Sequence, residues 1–216
     1  MISSTLIYFL KKLNNSLLIH LQKQLSSLLV PDYIDSIIDH NELTLWIYPG
    51  SLIRSFTLLS NDPRFLFNQL VDITAVDYPH KNQRFEVVYH LLSLTHNLRL
   101  RVKINLSENN AINSIEKIFP SANWFEREIW DMFGIVFENH TDLRRILSDY
   151  EFSGFPLRKD FPLSGYTQTK YDSNHNKIIR EPVALSQPHR NFDFTSPWEG
   201  SSPVIIDQQL KNSDQP

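Results

Sequence analysis

Between Leu98 and Leu106 the chain alternates without a break. Leu98, Leu100, Val102, Ile104 and Leu106 are apolar, while Arg99, Arg101, Lys103 and Asn105 are polar. Successive side chains of a β-strand point to opposite faces, so this run predicts a strand with one buried and one wet side. A strand of that kind suits an antiparallel or mixed sheet, not a parallel sheet covered on both faces. Upstream, Phe85, Val87, Tyr89 and Leu91 line one side of a second strand, and Thr95, His96 and Asn97 supply the turn between the two. These strands are expected to pair antiparallel with their apolar faces together.

The rest of the chain adds helices to that sheet. Leu6, Leu10, Leu13, Leu17, Leu21, Leu25 and Leu28 keep helical spacing, which predicts an amphipathic N-terminal helix over residues 1–32. The first acidic residue is Asp32 and the stretch before it is rich in Leu, Ser and Lys, a composition shared with organellar presequences. The continuous helical spacing favours a helix of the mature protein. A hairpin follows, with strands at Tyr33 to Ile38 and Leu43 to Tyr48 around Asp39 to Glu42, and Leu43, Leu45 and Ile47 share a face. Leu52, Phe56 and Leu59 predict one short helix, and Asp62 with Pro63 ahead of Phe65, Leu66 and Leu70 predicts another. Val71, Ile73 and Ala75 predict a strand ending at Asp77-Tyr78-Pro79, and Ile112, Ile115 and Phe119 a helix stopped by Pro120. No regular βαβ repeat is present. The expected fold is α+β, with a mostly antiparallel or mixed sheet covered by helices over residues 33–135. Residues 136–166 follow as a strap. From about Thr167 periodicity fades and Pro182, Pro188, Pro197, Pro203 and Pro216 recur. Residues 167–216 are therefore expected to form a long, extended and irregular C-terminal tail that lies across a partner, with Tyr171, Phe192, Phe194 and Trp198 as anchors.

Composition removes several classes of function. The formal net charge is -3 with a sequence pI of about 6.2, so no basic footprint for nucleic acid exists. There is no Cys, which excludes disulfides, thiol nucleophiles and cysteine-ligated iron–sulfur clusters. Lys11, Lys12, His20, Gln22, Lys23 and Gln24 interrupt the most hydrophobic region, so no membrane span is expected.

The segment from Trp124 to Gly165 carries the densest punctuation. Asn123 is placed to cap a helix, Glu126 to reach back as in a capping box, and Gly134 to end it. Glu126, Glu128 and Asp131 invite an acid–base reading, and His140 with Asp142 a metal reading, with a stand-alone metal hydrolase built on His140, Asp142 and Glu128 as its fullest form. Each lacks needed parts: a pocket for the first, further ligands for the second. Gly134, Gly154 and Gly165 are too widely spaced for a phosphate loop. The alternative pairs the carboxylates with Arg127, Arg144, Arg145, Arg158 and Lys159 in directional networks suited to an interface.

At these residues the sequence resembles the 30-kilodalton subunit family of respiratory complex I, the proton-pumping NADH:ubiquinone oxidoreductase, in its mitochondrial form, subunit 9. The resemblance runs through Glu126, Arg127, Glu128, Asp131, Met132, Phe133, Gly134, His140, Arg144 and Arg145. It continues through Asp149, Tyr150, Gly154, Pro156, Arg158, Lys159, Asp160, Pro162 and Gly165. Asp77-Tyr78-Pro79, Arg84 to Tyr89, and the Phe192-Asp193-Phe194 and Ser196-Pro197-Trp198-Glu199 stretches look like the family too. The resemblance implies an assembly subunit of the peripheral, quinone-module arm, on the matrix side of the inner mitochondrial membrane. It implies no cofactor in this chain, with iron–sulfur clusters, FMN and the quinone site held by partners. The large hydrogenase-like quinone-site subunit and neighbouring iron–sulfur subunits are the implied neighbours. The equivalent subunit of a chloroplast or bacterial NAD(P)H dehydrogenase, or of a membrane-bound hydrogenase, is the related alternative.

Overall fold

The computed structural model describes residues 4–187, with side chains from Ser16 onward. A boundary between two compact units falls between Gly165 and Tyr166. In the first unit, helix α1 (Ser4–Leu28) leads into a hairpin of β1 (Tyr33–Asp39) and β2 (Glu42–Ile47). His40 and Asn41 both have positive φ at the hairpin tip, the backbone whose twist matches that of the flanking strands. A 3₁₀ turn and α2 (Leu52–Asn61) follow, then β3 (Gln69–Asp77), β4 (Phe85–Ser93) and β5 (Leu98–Leu106).

These strands make one sheet in the order β1-β2-β5-β4-β3, antiparallel throughout except where β2 runs parallel to β5. The fold is α+β with a mixed sheet, as expected. The alternation along β5 holds, since Leu100, Val102, Ile104 and Leu106 are each at most 2% exposed. Phe85, Val87, Tyr89 and Leu91 of β4 share that buried face with Leu43, Leu45 and Ile47 of β2. Leu18, Leu21 and Leu25 from α1 and Leu52, Phe56 and Leu59 from α2 complete the same cluster. Phe56 meets Tyr89 edge-on at 4.9 Å between ring centroids. Removing this apolar surface from water is the main stabilising contribution.

Four expectations need correction. Asp62 does not start a helix. It makes one turn, with its carbonyl accepting from Phe65 and Leu66 N–H at 3.0 and 2.9 Å. Leu66 then takes a φ of 45°, and Phe65 and Phe67 both drop into the core. Val71 is exposed, because a register shift between Leu70 and Asp72 turns Leu70 inward in its place. Ile112, Ile115 and Phe119 are buried but not helical. Ile112 lies in β6 (Ile112–Asn113), paired parallel with β7 (Phe137–Glu138), and the Ile115 carbonyl closes a single turn to Phe119. Helical spacing here marks which residues go in, and a lone turn satisfies it. In the second unit, residues expected to run as irregular tail contain a hairpin of β8 (Thr167–Asp172) and β9 (Lys177–Pro182). Phe192, Phe194 and Trp198 lie outside the described residues.

Candidate functional site

The site grows from α3 (Ala122–Phe133). The spacing predicts Asn123 as its cap, with Glu126 reaching back. Instead Ser121 is the N-cap residue, without a side-chain cap bond. Asn123 donates to Glu116 at 2.9 Å, and Glu126 Oε1 accepts the Ile115 N–H at 2.8 Å. The turn at 114–119 folds over the start of α3 and takes the carboxylates that a solvent-exposed helix would keep for its own amides. Gly134 ends the helix as expected, at φ 78° with its N–H on the Trp130 carbonyl. A Cβ at Gly134 would stand 2.6 Å from the Phe155 ring and 2.7 Å from Arg158 Nη2, so the strap needs glycine for room as well as for conformation.

Glu126, Arg127 and Asp131 of α3 are buried, and Arg145 and Arg158 of the strap are largely covered. Asp131 is fully buried. Its Oδ2 accepts the N–H groups of Ile146, Leu147 and Ser148 at 3.1, 2.8 and 2.8 Å, and its Oδ1 accepts Arg145 Nη1 at 2.6 Å. Burial alone would push this carboxyl up, but the Ser148 amide, the Arg145 guanidinium and the Leu147 and Ile146 amides hold it below the usual carboxylate range. Arg145 also donates to the Gly154 carbonyl at 3.1 Å and stands over the rings of Trp130, Phe152 and Phe155. Arg127 donates to the Arg144 and Arg145 carbonyls, both at 3.1 Å. Helix α3 thus holds the strap by three successive amides and two arginines.

A second clasp ties the strap to the sheet. Asp77, at the end of β3, accepts Arg84 Nε and Nη2 at 2.8 and 2.9 Å and the Lys159 N–H at 2.8 Å. The Arg84 pairing is the main reason its carboxyl is held low. Arg84 also pairs with Asp160 at 3.0 Å and Glu108 at 3.3 Å. Arg158 donates to the Phe133 carbonyl and to Glu108, and packs on Phe85 and Phe155. Glu108 and Glu116 are the partners that sequence reasoning missed, since neither sits in a recognisable pattern.

The proposed metal trio does not assemble. Glu128 is exposed, and Asp142 pairs with Arg144 at 2.8 Å with both side chains more than half exposed. The His140 side chain is fully buried, with Nε2 on the Asn123 carbonyl at 3.0 Å and Nδ1 on the Asp142 N–H at 3.0 Å. Among the described residues no group of three or more His, Cys, Asp or Glu is placed to hold a metal, and no helix is long and apolar enough to cross a membrane.

Residues 45–167, more than half of the chain, match the family described as respiratory-chain NADH dehydrogenase, 30 Kd subunit. The chain belongs to that family. It is 47% identical over 202 residues to a protein of Xanthobacter autotrophicus named as a subunit of NADH-quinone oxidoreductase, covering 94% of each chain. Proteins of the same name from Paramagnetospirillum magneticum and Dinoroseobacter shibae are each 51% identical, over 168 residues (78% of this chain, 84% of the relative) and 176 residues (81% and 82%). Among solved structures, a chain of the membrane-bound sulfane sulfur reductase, an archaeal respiratory membrane complex, superposes with a TM-score of 0.57 at 26% identity. That match covers 67% of this chain and 85% of the other.

Within the family frame, the signature residues divide in two. Glu126, Arg127 and Asp131 are buried, and Arg145 and Arg158 nearly so. Phe133 is buried beside them. Gly134, Gly154, Pro156 and Pro162 shape the strap, with the Pro162 carbonyl closing a turn onto the Gly165 N–H at 2.9 Å. Asp149, Lys159 and Asp160 have exposed side chains, as do Arg144 and Tyr150. Beside them Trp124, Leu147, Tyr150, Leu157 and Leu163 are 69, 64, 72, 51 and 87% exposed. Trp124 lies on α3 and the other four on the strap.

Proposed function

We propose that this chain is a non-catalytic assembly subunit of the peripheral, quinone-module arm of a proton-translocating NADH:quinone oxidoreductase, supporting electron transfer from NADH to quinone without performing it. The single observation that carries the reading is the family match over residues 45–167, joined by near-full-length relatives named as subunits of NADH-quinone oxidoreductase. The site supports it physically: the buried charges hold the strap rigid, while Trp124, Leu147, Tyr150, Leu157 and Leu163 remain outward for a partner. A pre-ordered surface loses little conformational entropy on docking. The partners are the large hydrogenase-like quinone-site subunit and neighbouring iron–sulfur subunits, which hold the FMN, iron–sulfur clusters and quinone site among them. Their contacts on this chain are the outward residues of α3 and the strap, with residues 167–216 as an extension. The identities of 47 to 51% to quinone oxidoreductase subunits, against 26% to the sulfane sulfur reductase chain, favour a quinone-reducing complex.

The finer placement is on the matrix side of the inner mitochondrial membrane. It is supported by a composition with 5 Gly and 14 Phe in 216 residues, and by the mitochondrial-type Phe192-Asp193-Phe194 and Ser196-Pro197-Trp198-Glu199 stretches. Native electrophoresis with an NADH activity stain, followed by immunodetection of this chain in fractionated mitochondria, tests both statements. Co-migration with the active band in the mitochondrial fraction is expected. Migration as a free chain would overturn the assembly role, and an active band outside mitochondria would overturn the placement.

A further inference from the structure

Glu126 differs from every other carboxylate of the site. It is fully buried, and while Oε1 accepts the Ile115 N–H, Oε2 has no hydrogen-bond partner among the described residues. The nearest cation candidate is His140, whose Nε2 lies 3.9 Å from Oε2. That ring is already committed. Nε2 faces the Asn123 carbonyl, which can only accept, so Nε2 carries the hydrogen. Nδ1 faces the Asp142 N–H, which can only donate, so Nδ1 is bare. A second proton on the ring would set N–H against N–H. Both ring nitrogens of His140 are thus taken by backbone groups, and neither is hydrogen-bonded to Glu126 Oε2.

The other groups facing Glu126 do not supply one either. Ser114 and the Ile115 amide come from the turn before α3, and Glu116 from the same turn adds a like charge. Tyr89, from β4 of the sheet, is fully buried, and its hydroxyl has no hydrogen-bond partner among the described residues. Burial is the main reason that hydroxyl is pushed up, with the nearby Glu126 carboxyl a lesser one. Burial, reinforced by Glu116, pushes the Glu126 carboxyl up to about 7, against the pull of Ser114 and Ile115. Asp131 and Asp77 are equally buried, yet amides and arginines keep them ionised. An ionised carboxylate with one bare oxygen in such surroundings is disfavoured far more than a neutral acid.

We propose that Glu126 is a proton-operated latch beneath the docking surface: a neutral carboxylic acid at the joint of α3 and the 114–119 turn, whose ionisation leaves an uncompensated buried charge on its unpartnered oxygen and so loosens the packing around it. The part concerning docking rests on the assembly role proposed above. The folded chain binds this proton more tightly than the unfolded chain. Stability from this group is therefore full below the ordinary glutamate range and is lost as pH climbs from there through the folded value.

Urea unfolding of the full chain between pH 6 and 8, for the native sequence and Glu126→Gln, tests the acid. The native ratio of folded to unfolded chain should fall about tenfold more over that range than the ratio for the neutral glutamine variant. Equal slopes overturn the proposal. Should Glu126→Gln fail to fold, infrared spectra of the native chain decide: a protonated-carboxyl band present at pH 6 and lost at pH 9 is expected, and its absence at pH 6 overturns the proposal. Native electrophoresis of the complex at pH 6.5 and 8.5 tests the latch. Release of the native chain but retention of Glu126→Gln at pH 8.5 is expected, and pH-independent retention of both overturns it. A chain that never co-migrates with the complex would overturn the assembly role instead, with the unfolding slopes still deciding the state of Glu126.

Discussion

The outer face of the sheet and the strap are both rich in charge, and they use it in opposite ways. On the sheet, Arg101 pairs with Glu42 and Lys103 with Glu86 at 2.8 Å, with Lys103 also over the Trp46 ring at 5.3 Å. Both are cross-strand pairs that fix the register; the Arg101 pair is open to water, while Lys103 covers a buried Glu86. On the strap side, Asp131, Asp77, Arg84, Arg145 and Arg158 have side chains no more than 16% exposed. The cost of burying them is met by near-complete pairing, so removing one partner leaves several others stranded. The sheet face is finished on its own account. The strap side is finished within and leaves its apolar residues facing out.

The largest effect should come from stranding a buried set. Asp131→Ala leaves three amides unpaired and Arg145 without its carboxylate, and should cost roughly 3–5 kcal/mol in urea unfolding. A loss as small as that of a surface pair would erase the distinction between the two regions. Gly134→Ala comes next. It combines a positive φ with a clash against Phe155 and Arg158, and should cost about 1–3 kcal/mol, with a matching loss of assembled complex on native gels.

The pH dependence sharpens the comparison further. Asp131 and Asp77 have folded values held below the ordinary range. Their stabilisation is present above the unfolded aspartate value and lost as pH falls through the folded ones. Unfolding followed from pH 5 downward should show this loss, and Asp77→Asn should shrink it. At the small end, Arg101→Ala, which removes the exposed sheet pair with Glu42, should cost no more than about 1 kcal/mol, read by the same unfolding assay. Leu163→Ser should change stability by no more than about 0.5 kcal/mol, yet lower co-migration with the active complex. A variant that loses stability but assembles normally would reverse the roles assigned to Leu163 and the buried clasps.

Much of the fold is legible because burial in a strand or helix repeats at short range. The alternation of Leu98 to Leu106, the partner strand at Phe85 to Leu91, the hairpin, α2, and the glycine exit of α3 at Gly134 all follow from neighbouring residues. The failures share one cause. Local pattern favours Val71 inward, Asp62 as a helix start and Asn123 as a cap, and a bulge, a turn and a distant carboxylate override them.

For the site, sequence singles out the right stretch and the right residue types, and points to the family. It does not say which way the charges face. Arg145 meets Asp131 across 14 positions, Arg158 meets Glu108 across 50, and the Lys159 amide meets Asp77 across 82. Nothing in the near neighbours of Glu126 distinguishes it from Asp131, although one carboxyl keeps an unpartnered oxygen and the other has four donors. Periodicity is a short-range property of the backbone, so the sequence alone determined most of the residues that go inside, Val71 being an exception. Pairing of a buried charge is a long-range property of the folded chain, and only the tertiary structure decided which of them stay ionised.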